Sequence, residues 1–186
     1  MRFSTFVAAL LLAFGVSSAV SAQTPPAKTD PANTLILELK SGKVTIALRP
    51  DLAPKHVERV KILAKEGFYN GLKFHRVIAG FMAQSGDPTG TGTSGSKYGN
   101  LAAEFTPTPF NRGVVGAARS SDKNSANSQF FIMFAANPGL NGEYTVWGQV
   151  TDGMTAVDAV KKGASGSGTV TDPDIIVKAY LASDAK

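Results

Sequence analysis

Short runs in which apolar and polar residues alternate make up much of the chain and predict a protein built mainly of β-strands. Residues 34–40 and 43–48 each carry an apolar side chain at every second position, and Ser41-Gly42 joins the two runs. Successive side chains of a strand point to opposite faces of the sheet. The pattern therefore predicts a β-hairpin with one buried face.

Further apolar runs of strand length occupy residues 74–78, 81–85, 113–118, 128–134, 144–150 and 174–181. Two segments have helical spacing instead, one beginning at Pro54 and a short one that includes Met154. On the first helix His56 falls among charged residues, which predicts a surface position. The strands are connected by turns and loops rather than by regular βαβ crossovers. This arrangement predicts a closed eight-stranded antiparallel β-barrel capped by two α-helices, because closure removes exposed strand edges; a β-sandwich is the alternative.

The first 22 residues have the pattern of a signal peptide. Arg2 precedes an apolar run at 7–16, and small residues lead to an expected cut after Ala22. The apolar run is short for a membrane span, although an uncleaved anchor is the alternative. Residues 23–33 are rich in proline and polar side chains and predict a flexible lead-in, which leaves 34–182 as one domain. We expect the mature protein in the periplasm.

Composition excludes several kinds of chemistry. The chain has a net charge of +5 but no run of Lys or Arg, so the charge is expected to favour solubility rather than nucleic-acid binding. It has no cysteine, which excludes disulfides and cysteine nucleophiles. Its two histidines, His56 and His75, lie in separate predicted elements and do not predict a metal site. We expect neither a metal nor another cofactor.

The sequence also fails to support a phosphate-binding loop or a serine hydrolase. The loop at 86–110 is rich in glycine but lacks the Gly-x-x-x-x-Gly-Lys-Ser/Thr pattern of a phosphate-binding loop. The three residue types of a hydrolase triad are available as His75, Asp87 and one of the serines. No Gly-x-Ser-x-Gly elbow is present, however. His75 is therefore interpreted as a structural histidine whose hydrogen bonds are satisfied.

The stretch 74–87 is the strongest candidate for a functional site. Arg76 stands in the middle of an apolar strand, on the face opposite His75 and Val77. Met82 and Gln84 share one face of the next strand. A fixed cation, an amide and apolar side chains are suited to binding a peptide and biasing its conformation.

Rotation about an X–Pro peptide bond is the reaction that suits such a site. Its barrier is about 18–20 kcal/mol because the C–N bond is partly double. In the twisted transition state the prolyl nitrogen regains its lone pair. A guanidinium that donates to this nitrogen stabilises the twisted state and not the planar ground state.

Three sequence blocks resemble the cyclophilin family of peptidyl-prolyl cis-trans isomerases. They are FHRVI at 74–78, GFMAQSGD at 80–87 and SQFFI at 128–132. The resemblance covers residues 35–181 and is greatest with the exported bacterial members. It implies the barrel fold already expected, with the active site on the outer surface, and a role in folding exported proteins.

The resemblance also implies the roles of individual residues. Arg76 would be the catalytic arginine, and Gln84 would orient it or bond the substrate backbone. The proline pocket would consist of Phe81, Met82, Phe131 and Leu140. The rest of the peptide groove would be lined by Ala118, Arg119, Gln129 and Tyr144. A backbone group of Arg119 would hold the substrate, and Tyr144 stands where the family often has histidine.

One departure from the family bears on inhibitors. In cyclosporin-sensitive members a tryptophan precedes the pocket leucine, whereas here Gly139 precedes Leu140 and Trp147 falls in a predicted strand. The resemblance therefore implies weak cyclosporin binding. The expected partners are proline-containing polypeptides, and we expect a monomer without stable membrane association after signal cleavage. A non-catalytic peptide-binding chaperone that uses the same groove is the alternative function.

Overall fold

The computed structural model describes residues 30–185, and these form one curled β-sheet with two helices. The strands are β1 (Thr34–Leu39), β2 (Gly42–Leu48), β3 (Arg76–Ile78), β4 (Met82–Ser85), β5 (Val114–Ala117), β6 (Phe130–Met133), β7 (Val146–Asp152) and β8 (Ile176–Leu181). The helices are α1 (Pro54–Lys65) and α2 (Met154–Asp158). The predicted signal peptide and residues 23–29 of the lead-in lie outside the described residues. Pro31–Asn33 form a short 3-10 helix, so regular structure begins before the predicted domain boundary.

The strands follow one another in the sheet as β3-β4-β6-β5-β7-β2-β1-β8, and every neighbouring pair is antiparallel. The predictions of a mainly β fold, eight antiparallel strands and two helices are confirmed. The prediction of a closed barrel is wrong, because the sheet is a half-barrel whose end strands β3 and β8 share no ladder. β3 has only three residues, and the segment before it meets β8 through separate backbone bonds such as Ile176 N–H to the Leu72 carbonyl, at 2.9 Å. The single sheet also rules out the β-sandwich alternative.

The main core lies on one face of the sheet. Alternate residues of the β1–β2 hairpin are buried there, as the sequence pattern predicted. Helix α1 adds an apolar side formed by Val57, Val60, Leu63 and Ala64. Pro54 suits its first turn, where a missing backbone N–H leaves no helical hydrogen bond unmade. The predicted helix and its packing against the sheet are confirmed.

The prediction that His56 lies at the surface is wrong. Its side chain is buried, and Nδ1 lies 2.6 Å from Glu104 Oε2. Glu104 also accepts backbone N–H bonds from Lys55 and His56, at 3.1 and 3.0 Å. Ala53 at the N-cap has no side-chain acceptor for these groups. Glu104, from a loop far along the sequence, therefore caps α1 in its place.

His75 is buried against the main core face, as expected for a structural histidine, but it is not satisfied. Neither of its ring nitrogens has a hydrogen-bond partner among residues 30–185. Burial lowers the pKa of His75 and of His56, and for His56 this effect outweighs the opposing influence of Glu104. Both histidines therefore resist protonation in the folded protein.

Acidification from pH 7 to pH 5 is expected to reduce the free energy of unfolding. The unfolded chain binds protons at histidines with an ordinary pKa near 6.5, whereas the folded chain does not until the pH is lower, so stability falls below that value. We expect both buried histidines to contribute to this loss. Urea denaturation at a series of pH values measures it.

A His56→Gln variant separates this contribution from the rest. Glutamine can still donate to Glu104 but does not titrate, so its free energy of unfolding should fall less steeply with acidification than that of the wild type. Equal slopes for the two proteins would contradict the assignment.

Candidate active site

The candidate site is built on one row of residues that crosses four strands. Arg76 on β3 is paired with Gln84 on β4, Gln84 with Phe131 on β6, and Phe131 with Gly116 on β5. Directly opposed residues of antiparallel strands point to the same face. The row therefore lies on the face of the sheet opposite the main core, which takes Val77 from the same strand as Arg76.

A second apolar cluster covers this outer face. Its buried members are Met82, Phe110, Val114, Phe131, Met133 and Val146. The rings of Phe110 and Phe131 stack with centroids 5.7 Å apart, and Tyr144 meets Phe131 edge-on at 5.6 Å. Aromatic pairs in these geometries stabilise one another beyond the area they bury. The cluster gives the outer face a rigid apolar floor.

A cavity of about 170 Å³ opens on this floor, at the place where the sequence predicts the proline pocket. Nine of the ten predicted site residues line it: Arg76, Phe81, Met82, Gln84, Ala118, Arg119, Phe131, Leu140 and Tyr144. Leu140 reaches it from the short 3-10 helix Pro138–Leu140, where the Asn137 side chain accepts a bond from the Gly139 backbone N–H at 3.1 Å. The tenth residue, Gln129, lies beside the pocket and not in it.

Arg76 is held at the edge of the proline pocket by two hydrogen bonds. Its Nε donates to the Ser167 carbonyl and its Nη1 donates to Gln84 Oε1, both at 3.2 Å. Nη2 has no hydrogen-bond partner among residues 30–185. The guanidinium is thus fixed at two of its nitrogens and retains free donors for a ligand.

Arg119 forms the rim between the proline pocket and the rest of the groove. Its guanidinium lies 4.4 Å from the centroid of the Tyr144 ring, and Nη2 donates to the Glu143 carbonyl at 2.9 Å. These contacts leave the side chain mostly buried. Neither its backbone N–H nor its carbonyl is paired within the described part of the chain, so both are available to an extended peptide.

A larger, polar cavity of about 660 Å³ adjoins the proline pocket and shares Gln84, Ala118 and Arg119 with it. Its other lining residues are Gly92, Thr93, Ser94, Gly95, Ser96, Asn100, Ser120, Ser125, Asn127 and Gln129. Hydroxyl and amide groups predominate. The two cavities together form a groove with an apolar end and a polar end.

Sequence reasoning missed several parts of this groove. Phe110 stacks on Phe131 in the apolar floor, but it ends a proline-rich loop with no periodicity. Gly116 lies in the predicted strand at 113–118, where nothing in the pattern distinguishes it. An added Cβ at Gly116 would lie 2.6 Å from Phe131 Cζ and 2.7 Å from Phe110 Cε1. Glycine therefore allows both rings to lie over β5.

Two features are absent from residues 30–185. No group of three or more His, Asp or Glu side chains there has the geometry of a metal site. No helix in that range has both the length and the apolar character that a membrane span requires.

The chain is similar in sequence and in fold to known proteins. The model of the family described as cyclophilin type peptidyl-prolyl cis-trans isomerase/CLD matches residues 34–181. A relative from Brucella suis biovar 1 (strain 1330), named "Probable peptidyl-prolyl cis-trans isomerase", is 52% identical over 190 residues, 96% of this chain and 97% of that protein.

Two solved structures share the fold. Cyclophilin AquaCyp293 from Hirschia baltica is similar with a TM-score of 0.76 at 29% identity, over 85% of this chain and 77% of that chain. A Cryptosporidium parvum cyclophilin type peptidyl-prolyl cis-trans isomerase, crystallised in the presence of the dipeptide Ala-Pro, gives a TM-score of 0.73 at 31% identity. That match covers 80% of this chain and 98% of the parasite protein.

The chain belongs to the cyclophilin-type peptidyl-prolyl cis-trans isomerase family, since the family model spans the sheet and both helices. It is a peptidyl-prolyl cis-trans isomerase, an enzyme that interconverts the cis and trans forms of X–Pro bonds. The resemblance seen in the sequence is confirmed.

Replacement of Gly116 by valine is expected to deform the proline pocket. The new side chain would overlap the Phe110 and Phe131 rings, and overpacking of this kind costs about 1–3 kcal/mol. About half of that cost is expected to act on the pocket, so kcat/KM for an X–Pro peptide should fall about two- to tenfold as the rings move into the cavity. A protease-coupled isomerisation assay measures it.

Gly148→Val is the matched control. Gly148 is also a strand glycine, but an added Cβ there meets Ile46 of the main core at 2.9 Å. It should cost similar stability and leave kcat/KM of the folded enzyme near that of the wild type. Equal loss of activity in both variants would show that Gly116 has no particular effect on the pocket.

Proposed function

We propose that Arg76 catalyses X–Pro rotation by donating a hydrogen bond to the prolyl nitrogen as the peptide bond twists. The observation that carries the proposal is the guanidinium at the edge of the proline pocket, fixed through Nε and Nη1 while Nη2 has no partner among the described residues. A donor at this edge can reach the nitrogen of a ring held inside the pocket.

The chemistry favours the transition state over the ground state. In the planar amide the nitrogen lone pair is delocalised into the carbonyl and accepts hydrogen bonds poorly. At the twisted state delocalisation is lost and the lone pair becomes an acceptor. A donor that is already in place needs no reorganisation at that moment, and only an interaction that strengthens in the transition state raises kcat.

The remaining residues hold the peptide around the rotating bond. The ring of proline is apolar and rests on Met82, Phe131 and Leu140. The free backbone groups of Arg119 pair with the residues before proline, as an added strand would. The Ala-Pro dipeptide present with the Cryptosporidium parvum relative supports a proline-containing peptide as the ligand of this groove.

Substitution of Arg76 tests the proposed role. Arg76→Ala removes the donor, and loss of one preorganised donor costs about 10²–10³ in rate. We expect a fall of that order in kcat/KM. Arg76→Lys keeps the charge without the planar fork and should recover only part of the activity. The isomerisation assay with a short X–Pro peptide measures both variants.

Arg49→Ala serves as the control, because Arg49 is an exposed arginine paired with Asp51 and lies away from the groove. It should leave kcat/KM unchanged. Activity of Arg76→Ala equal to that of wild type would overturn the proposed mechanism, although not the family assignment.

We further propose that the enzyme acts on exported proteins in the periplasm. The basic, apolar and small-residue segments of the first 22 residues support cleavage after Ala22. The mature chain would act there as a monomer on unfolded clients that contain proline. Slow isomerisation, on the scale of tens to hundreds of seconds uncatalysed, is a step such clients need accelerated.

The export proposal predicts the mature N-terminus. The protein recovered from a periplasmic fraction should begin at Gln23, as measured by intact mass and N-terminal sequencing. Ala22→Arg, which disrupts the small residue required before the cut, should accumulate uncleaved in the membrane fraction. Full-length protein that begins at Met1 in the cytosolic fraction would contradict the proposal.

A further inference from the structure

Asp87 is a buried carboxylate that the proposed mechanism does not use. It lies two residues beyond the end of β4 and is 1% exposed. Its Oδ1 accepts bonds from the Thr89 backbone N–H and hydroxyl, at 2.7 and 2.8 Å. Its Oδ2 accepts from the backbone N–H groups of Gly92 and Ser94, at 2.6 and 3.2 Å. The carboxylate therefore organises the loop at 87–94.

Asp87 is expected to be ionised at neutral pH. Burial raises the pKa of Asp87, but the hydrogen bonds from Thr89, Ser94 and Gly92 outweigh burial and hold it below the ordinary range. All of these donors are uncharged, so the negative charge is balanced by dipoles of the loop. A carboxylate bonded in this way fixes the positions of several backbone groups at once.

The same loop points two carbonyls at Gln129. Gln129 Nε2 donates to the Ser94 carbonyl at 2.7 Å and to the Gly92 carbonyl at 3.1 Å. A backbone carbonyl can only accept, so Gln129 must present its NH₂ group to the loop and its oxygen to the opposite side. The loop thereby sets which way this amide faces.

The orientation of the Gln129 amide in turn fixes that of the Gln84 amide, which contacts Arg76. Gln129 Oε1 accepts a bond from Gln84 Nε2 at 2.9 Å, which leaves Gln84 Oε1 to accept from Arg76 Nη1 at 3.2 Å. Each of these two side-chain amides has only one orientation that satisfies both of its hydrogen-bonding neighbours. A flip of Gln84 would present its NH₂ group to the guanidinium, and a flip of Gln129 would present its NH₂ group to that of Gln84, so in either case two donors would face each other.

We propose that Asp87 is a positioning residue for catalysis, which acts on Arg76 through the loop at 87–94 and the amides of Gln129 and Gln84. This inference rests on the proposed role of Arg76. Loss of the carboxylate charge frees the Gly92 and Ser94 carbonyls to move, and the amides lose their fixed orientation. The guanidinium then spends less time where it can reach the prolyl nitrogen.

The test measures kcat and KM separately for Asp87→Asn with a short X–Pro peptide. Disturbed positioning should lower kcat about tenfold, within the range of coupling between groups of one hydrogen-bond network. KM should stay within about twofold, because the apolar side chains of the proline pocket are unchanged. Asp174→Asn is the matched control: Asp174 also accepts a loop backbone N–H, from Lys161 at 2.8 Å, and contacts neither glutamine.

A double-mutant cycle separates positioning from general weakening of the fold. In a Gln84→Ala background the amide chain is already broken, so Asp87→Asn should lower kcat no further. A purely structural effect would lower kcat by the same factor in both backgrounds. Equal factors, or a change confined to KM, would overturn the proposal.

Two outcomes distinguish this inference from the mechanism on which it rests. If Arg76→Ala loses activity and folded Asp87→Asn does not, the inference is wrong and the role of Arg76 stands. If Arg76→Ala retains full activity, both are wrong. Should Asp87→Asn not fold, Gln129→Leu breaks the chain without touching the loop carboxylate, and it must show the same loss of kcat; unchanged kcat there overturns the inference.

Discussion

The cross-strand register of β3, β4, β6 and β5 is the constraint on which the rest of the site depends. Antiparallel pairing sets Arg76, Gln84, Phe131 and Gly116 side by side on one face, with adjacent strands about 4.8 Å apart. A slip of one residue would turn each side chain to the opposite face. The hydrogen-bonded backbone thus fixes the spacing between the cation of Arg76 and the Phe131 ring in the pocket floor.

One sheet serves two apolar clusters, and this division separates stability from function. The larger cluster, with α1 and alternate residues of most strands, supplies the buried area that holds the domain together. The smaller cluster around Phe131 lies on the other face and stays open to solvent at the proline pocket. Because strand residues alternate, a single strand such as β6 contributes Ile132 to the first and Phe131 to the second.

Local pattern predicted the features that depend on neighbouring residues. Alternation alone placed Arg76 opposite His75 and Val77, and spacing predicted the apolar side of α1. Features that depend on distant residues were not accessible. Nothing near His56 indicates that Glu104 will cap its helix, and Phe110 shows its place only when the chain folds back on β6. Barrel closure was wrongly predicted because strand count does not reveal that β3 is too short to form a ladder with β8. The groove itself was assigned by family resemblance, since pattern cannot distinguish Met82 and Phe131 from core residues.

In the proposed mechanism Arg76 speeds the twist of the bound peptide bond and contributes little to holding the peptide. Two-dimensional NMR exchange spectroscopy on a ¹⁵N-labelled X–Pro peptide measures that step, because cis–trans interconversion on saturated enzyme appears as cross-peaks between the two isomers. Arg76→Lys should bind the peptide with nearly unchanged affinity and interconvert it far more slowly than wild type. Equal interconversion rates on the two enzymes, with a loss of affinity alone, would contradict it.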